Sequence, residues 1–226
     1  AADYADDSKQ TAAGSQLSAQ EWVVLDMAAY AAWKPDATAK TSDAARQLYL
    51  NNAISSLEDT TVYSPLQTNA KAEIILPAIG VDPAKLYKVN NSTPISAPAQ
   101  MLEQLKTATP THYEAPWILL SELNGSLTLP EETRASLVET LQNNQSDSGL
   151  YFYSYNDQNF DDVDTTATVI AALAPLYDLD ATAKRVVDKA VTGLSAVQDA
   201  NTGSFGNANA DAMVIIGLAA LGVNPD

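Results

Sequence analysis

The segment KRVVDKAVTGLSAVQDANTGSFGNANADAMVIIGLAAL, residues 184–221, contains three successive kinds of sequence. In residues 186–194 apolar side chains recur at i, i+3 and i+4 with charged side chains on the other face, which predicts an amphipathic helix. A short polar turn with Gly203 and Phe205 follows. Residues 213–221 are apolar all round, and a helix of that kind has to be buried on every side. The segment therefore predicts an outer, half-buried helix, a glycine turn and an inner, buried helix.

The same unit recurs along the chain. Apolar blocks rich in the helix formers Ala and Leu recur about every 45 residues, ending at Ala32, Ile79, Leu123, Tyr177 and Leu221. Amphipathic segments lie between the blocks, most clearly at 131–141 and 184–194. Residues 145–151 and 198–205 share one pattern, which is Gln, a polar turn, Gly, any residue and an aromatic. Two blocks also end in similar short motifs, Ile-Gly-Val at 79–81 and Leu-Gly-Val at 221–223.

This alternation predicts an all-α fold. Buried helices need cover on all sides, and a ring with apolar helices inside and amphipathic helices outside supplies it. We expect an α/α toroid, two concentric layers of antiparallel helices, present here as an incomplete ring; an open two-layer solenoid is the alternative. Residues 1–16 are expected to be a flexible leader and 17–226 a single toroid domain, with the natural chain continuing beyond residue 226.

Composition excludes several classes of function. The chain has 226 residues, of which 28 are acidic and 12 basic, so its net charge is -16. Nucleic acids and anionic membranes need a positive surface, and neither is expected as a partner. No apolar stretch reaches the length of a membrane span, so no membrane insertion is expected. The absence of cysteine excludes disulfides, thiolate zinc sites and cysteine nucleophiles.

Two motifs resemble those of a known superfamily. The pattern Lys189-Ala190-x3-Leu194-x3-Gln198-x4-Gly203-x-Phe205 resembles the QW repeat of squalene cyclases, with Phe205 at the usual tryptophan, and Gln145-x3-Gly149-x-Tyr151 is a partial second copy. Asp162-Val163-Asp164-Thr165-Thr166-Ala167 is similar to the DxDDTA motif of class II cyclases, with Thr165 replacing the last aspartate.

The chain thus resembles the superfamily of terpenoid cyclases and protein prenyltransferases, which implies the α/α toroid. In overall composition it looks closest to the non-enzymatic bacterial secreted and surface members and to the helical domain of cobalamin carriers. The prenyltransferase zinc uses Asp, Cys and His together, so that activity is not expected in a chain without cysteine. No metal and no cofactor is expected.

The cyclase resemblance implies a role for two aspartates. Asp164 stands where the family's general acid stands, and Asp162 stands where a partner carboxylate would stand. The simpler interpretation is that Asp164 is the N-cap of the helix that follows. Since the chain lacks the last aspartate of the motif and supplies less than one ring, an enzyme is the second hypothesis.

We therefore expect a non-enzymatic, secreted or cell-surface module that binds a ligand or partner through the mouth of the ring. The ligand is an unidentified small molecule, cobalamin by family analogy, or a surface partner. The alternatives are a class II cyclase-like enzyme with Asp164 as its acid and a structural spacer in a surface protein. The candidate ligand-binding residues are two tryptophans near apolar helix starts, three residues expected at the same rim and one further aromatic residue. They are Trp22 and Trp117, then Tyr113, Asp164 and Asp211, and finally Phe160.

Overall fold

The computed structural model describes residues 21–33, 43–58, 64–87, 93–124 and 127–224. These residues form nine α-helices and one β-hairpin. The helices are α1 (Glu21–Trp33), α2 (Asp43–Glu58), α3 (Pro65–Ala78), α4 (Ala97–Leu105), α5 (Ala115–Leu123), α6 (Glu131–Asn144), α7 (Val163–Leu173), α8 (Ala181–Val197) and α9 (Ala208–Ala220). Strands β1 (Tyr151–Tyr155) and β2 (Gln158–Asp162) lie between α6 and α7. The predicted leader, residues 1–16, lies outside the described residues.

The chain divides into two compact units. The first contains the described residues of Ala1–Ala108 and Ser121–Thr128, and the second contains those of Thr109–Leu120 and Leu129–Asp226. In the first unit α3 packs against α1, α2 and α4. Apolar side chains from these helices form its core, among them Val24, Tyr49, Ile54, Ile75, Leu76 and Ala97.

The second unit contains both predicted kinds of helix, one apolar and buried and one amphipathic. Helix α6 packs on α8, α8 packs on α7, and α7 packs on α9. Every residue of α7 from Thr166 to Leu173 is buried, whereas α8 alternates buried valines and alanines with exposed charged residues. The predicted half-buried and fully buried helices are confirmed for α8 and α7. Helix α6 starts after Pro130 with Glu131 and Glu132 in its first turn, where acidic side chains favour the helix dipole.

The two similar helix endings adopt the same turn. Gly80 and Gly222 have φ values of 78° and 74°, in the left-handed region that glycine occupies without a steric penalty. The next residue donates its amide to a carbonyl five residues back, Val81 to Leu76 at 2.9 Å and Val223 to Leu218 at 3.0 Å. Both endings are Schellman caps, so the repeated sequence motif forms the same helix cap at both positions.

The structure differs from the all-α prediction at residues 151–162. Tyr151, Tyr153 and Tyr155 alternate with other residues, which is the period of a strand, and Asn156 and Asp157 have φ values of 50° and 60°. Positive φ at both central residues is typical of a two-residue type I′ hairpin turn. The turn pair here is Asn-Asp, which lacks the glycine of the usual hairpin pairs, so the all-α prediction missed this hairpin.

The prediction that every apolar helix is buried on all sides is wrong for α9. Its face with Ala210, Val214 and Gly217 is buried and packs on α7. On the other side Ile215 and Ile216 are 50% and 53% exposed. The apolar sequence correctly indicates a helix, but no described residue covers its second face.

Candidate ligand-binding site

The β-hairpin of the second unit carries three aromatic rings on one open face. Tyr153 and Phe160 are directly opposite each other in the strand register, and their rings stack with centroids 5.4 Å apart and an interplanar angle of 22°. Tyr155 lies two residues from Tyr153 and therefore on the same face. The three side chains are 46%, 41% and 65% exposed, in the order Tyr153, Phe160 and Tyr155. They form an aromatic platform that is accessible to a partner.

The base of the hairpin is fixed to the helices. Tyr151 is buried; its phenol donates to the Leu141 carbonyl at 2.7 Å, and its amide donates to the Thr166 hydroxyl at 2.9 Å. These contacts connect β1 to both α6 and α7. A two-stranded hairpin alone is marginally stable in water, so the platform depends on this anchoring.

A second anchor comes from the segment before α5. The Tyr113 hydroxyl donates to the Phe152 carbonyl oxygen at 2.6 Å, and His112 Nε2 lies 3.0 Å from the same oxygen. The rings of His112 and Phe152 are 5.0 Å apart. Tyr113, predicted to contact a ligand, therefore positions the hairpin through its hydroxyl.

The carboxylate that caps α7 is Asp162 and not Asp164. The two oxygens of Asp162 accept from the amide and the hydroxyl of Thr165, at 2.9 Å and 2.7 Å. Since Val163 is the first helical residue, Asp162 holds the N-cap position and reaches the amide three residues on. The capping interpretation of Asp164 is wrong by two residues, because Asp164 already lies within the first turn.

Asp164 instead connects α7 to α9. Its Oδ2 accepts from Asn209 Nδ2 at 2.6 Å, which brings the N-terminal turns of the two apolar helices together. Burial raises the pKa of the Asp164 carboxyl, the negative charge of Asp162 raises it further, and the hydrogen bond from Asn209 opposes both. A carboxyl with a raised pKa retains its proton to higher pH, a property that a general acid needs.

Asp211 fastens the second glycine turn to α9. Its Oδ1 accepts from the Phe205 amide at 2.6 Å, and both of its oxygens lie within 3.1 Å of the Ser204 hydroxyl. The N-cap of α9 is Asn207, whose side chain accepts from the amides of Asn209 and Ala210. Asp211 is thus neither a cap nor a member of the aromatic platform.

The predicted site residues fall in several places. Phe160 is part of the platform, Tyr113 anchors it, and Trp117 is half-buried in α5. Trp22 belongs to α1 in the first unit, and its side chain lies outside what the structure describes.

Sequence reasoning missed Tyr153, Tyr155 and Asn209. The alternating tyrosines around Asn156-Asp157 could have indicated the hairpin. The contact between Asn209 and Asp164 joins residues 45 positions apart, and no local pattern indicates it.

Comparison with known proteins finds no matching family model, no matching curated protein and no matching solved structure. The cyclase resemblance therefore stays a prediction that depends on the two motifs. In the part of the chain that the structure describes, no helix combines the length and apolarity needed to cross a bilayer. Within the same residues, no three side chains of His, Asp or Glu group in a way that could hold a metal ion.

Proposed function

We propose that this protein is a non-enzymatic binding module whose aromatic platform contacts a ligand or a partner protein. The observation that supports it most strongly is the stacked, exposed pair Tyr153 and Phe160 on an anchored hairpin, with Tyr155 beside it. Clusters of exposed apolar side chains often mark interaction sites, and tyrosine is enriched among the residues that contribute most to binding. Anchoring of the hairpin to the helices also reduces the entropy lost on binding.

The surroundings of the platform favour a cationic ligand group. The faces of tyrosine and phenylalanine rings attract cations, and Asp157 in the turn of the same hairpin is exposed. The net charge of -16 acts in the same direction over longer distances. We therefore assign the ligand to molecules or peptide segments that present guanidinium, ammonium or quaternary ammonium groups.

The proposal includes the α/α toroid and an extracellular or cell-surface location. The alternation of buried α7 with amphipathic α8 supports the toroid, as do the contacts between α7 and α9 and between α6 and α8. In a toroid the hairpin, which leads directly into the inner helix α7, would stand at the mouth of the ring. Strong acidity, which keeps molecules apart in solution, is compatible with an exposed location.

Binding of an arginine peptide tests the proposed function. A fluorescently labelled tetra-arginine peptide is titrated with the protein at a salt concentration of ~0.15 M, where long-range charge effects are screened. We expect saturable binding that weakens about tenfold or more, ~1.4 kcal/mol, in Tyr155→Ala and in Phe160→Ala. The matched control is Tyr87→Ala, because Tyr87 is 54% exposed in the first unit and is absent from the hairpin.

The variants remove rings without changing charge, so they separate ring contacts from general attraction to an acidic protein. An equal loss in Tyr87→Ala, or no loss in the two hairpin variants, would contradict the proposal. If the peptide does not bind at all, the structural-spacer hypothesis is favoured instead. Cobalamin is tested in parallel by its visible absorption, and an unchanged spectrum on mixing removes it as a ligand.

The second candidate function is a cyclase-like enzyme, which the raised pKa of Asp164 favours. In that reaction a protonated carboxyl transfers its proton to an alkene or epoxide. The test incubates the protein and Asp164→Asn with linear polyprenoid substrates and analyses the products by mass spectrometry. Cyclised product with the unaltered protein and none with the variant would favour the enzyme over the binding module.

A further inference from the structure

The two glycine turns of the second unit share one side-chain hydrogen bond, although the second turn is one residue longer. Gln145 Nε2 donates to the Gly149 carbonyl at 2.9 Å, and Gln198 Nε2 donates to the Gly203 carbonyl at 2.8 Å. Both glycines have positive φ, 91° and 73°. The first turn follows outer helix α6 and the second follows outer helix α8, so they are equivalent positions in successive repeats.

Helix α8 covers the first turn closely. Gln145 Nε2 makes a second bond, to the Val186 carbonyl of α8, at 2.9 Å. A Cβ atom on Gly149 would lie 2.1 Å from the Lys189 backbone oxygen, and a Cβ atom on Gly193 would lie 2.6 Å from the Ser148 backbone oxygen. The helix and the turn therefore touch through backbone atoms at two glycines, a contact that larger residues would prevent.

The second turn is closed by the equivalent glutamine bond, but no described residue covers it. Gln198 and Gly203 are both exposed, and the nearest atom to a Cβ on Gly203 is the Gln198 amide nitrogen, at 3.8 Å. In the corresponding place lies a groove of about 200 Å³ between α8 and α9. Leu194, Val214, Ile215 and Phe205 are among its lining residues.

The charge of this groove complements a basic helix. Asp211 is the charged side chain among the described residues that line it, and Asp199 lies in the exposed turn beside it. Helix α8, which occupies the equivalent place in the first copy, carries two lysines, an arginine and one aspartate on its exposed face. Of these, the Lys189 side chain lies beside the first turn, with its Cγ 3.2 Å from the position of a Cβ on Gly149. A second copy of the chain is a poor occupant, because its α8 is already packed on α6 and α7 and both copies carry a charge of -16.

We propose that the groove between α8 and α9 docks a basic amphipathic helix of a partner polypeptide, in the manner in which α8 covers the first glycine turn. The docked helix presents valine and alanine to the groove and a glycine to the backbone of residues 202–203. This inference is independent of the aromatic platform and of the ligand that it binds.

The α8 peptide itself is the probe. The 17-residue segment Ala181–Val197 is synthesised with blocked termini and a fluorophore, and its anisotropy is followed during titration with the protein. We expect saturable binding with a Kd of ~10–100 μM, because a short helix must be ordered when it binds. A Gly193→Ala peptide is expected to bind at least about fivefold more weakly, although alanine raises its helicity.

Two neighbouring isoleucines provide the matched variants of the protein. Ile215 and Ile216 are exposed to nearly the same extent, but of the two Ile215 lines the groove. Ile215→Lys is expected to raise the Kd about tenfold or more, and Ile216→Lys is expected to leave it within about twofold. Circular dichroism checks that both variants fold; if Ile215→Lys does not, Ser195→Arg on the exposed rim of the groove replaces it.

Three results would overturn the proposal. The first is an absence of binding to the unaltered protein up to the solubility limit of the peptide. The second is a similar change of Kd in the Ile215 and Ile216 variants, or undiminished binding of the Gly193→Ala peptide. The third is a dimer in sedimentation experiments that Ile215→Lys dissociates, since the groove would then hold a second copy of the chain.

Discussion

Replacing Glu73 with glutamine is expected to change how the stability of the first unit depends on pH. Glu73 lies in α3, next to the core of that unit, and is fully buried. Burial raises the pKa of its carboxyl to about 8. The folded protein therefore holds Glu73 in its neutral, protonated form at pH 7.

The size of the effect follows from the difference in proton binding between the two states. In the unfolded chain a glutamate has a pKa of about 4.3. Between about pH 4.3 and pH 8 the unfolded state loses this proton and the folded state keeps it, so the free energy of unfolding falls as pH rises. The fall is about 1.4 kcal/mol per pH unit and about 5 kcal/mol in total, and it ends above about pH 8, where the folded state ionises too.

Glu73→Gln removes this titration and keeps the shape of the side chain. Urea unfolding at about pH 5, 6, 7 and 8, with amide exchange of α3 to follow the first unit by itself, compares the variant with the unaltered protein. We expect the free energy of unfolding of the variant, relative to that of the unaltered protein, to increase by about 4 kcal/mol between about pH 5 and pH 8. The control Glu103→Gln changes an exposed residue of α4 and should follow the unaltered protein within about 1 kcal/mol. Parallel curves for Glu73→Gln and the unaltered protein would refute the reasoning.

Three further predictions concern the second unit and are read from urea or thermal unfolding. Gly149→Ala should lower the free energy of unfolding by at least about 3 kcal/mol, because its Cβ would lie 2.1 Å from a backbone oxygen of α8. Gly203→Ala, whose Cβ would have its nearest neighbour at 3.8 Å, should lower it by about 1–2 kcal/mol from the positive φ alone. Equal losses would contradict the conclusion that α8 covers the first turn and that no described residue covers the second. Asp162→Ala should lower the free energy of unfolding by about 1 kcal/mol, because it removes the N-cap of α7. An unchanged stability would mean that another group caps the helix. Gly217→Ala should lose about 1–3 kcal/mol, because its Cβ would lie 2.8 Å from a backbone oxygen of α7; a gain in stability would show that α7 and α9 are further apart.

The helices and their repetition could be predicted from the sequence. Helical spacing of apolar residues in 186–194 indicates the half-buried α8, and the apolar run at 169–176 indicates the buried α7. The repeated glutamine–glycine motif also predicts a repeated contact, since Gln145 and Gln198 each donate a hydrogen bond to a glycine carbonyl. These features depend on contacts within one helix or one turn, which a short stretch of sequence contains.

The site could be predicted only in part. Phe160 is among the predicted residues, but its stacking with Tyr153 depends on a turn at Asn156-Asp157 that lacks the glycine of the preferred turn pairs. The bond between Asp164 and Asn209 depends on the packing of α7 on α9, which no local pattern contains. Hydropathy shows how apolar α9 is, but it cannot show whether another chain covers Ile215.

Fluorine NMR of protein labelled with 3-fluorotyrosine reports ligand contact at individual rings. The signals of Tyr153, Tyr155 and Tyr87 are assigned by replacing each residue with phenylalanine. If the aromatic platform is the binding site, titration with the tetra-arginine peptide shifts the signals of Tyr153 and Tyr155 saturably and leaves the signal of Tyr87 unchanged. Shifts at Tyr87 as large as those on the hairpin, or hairpin signals that do not move while the peptide binds, would contradict the aromatic platform as the binding site.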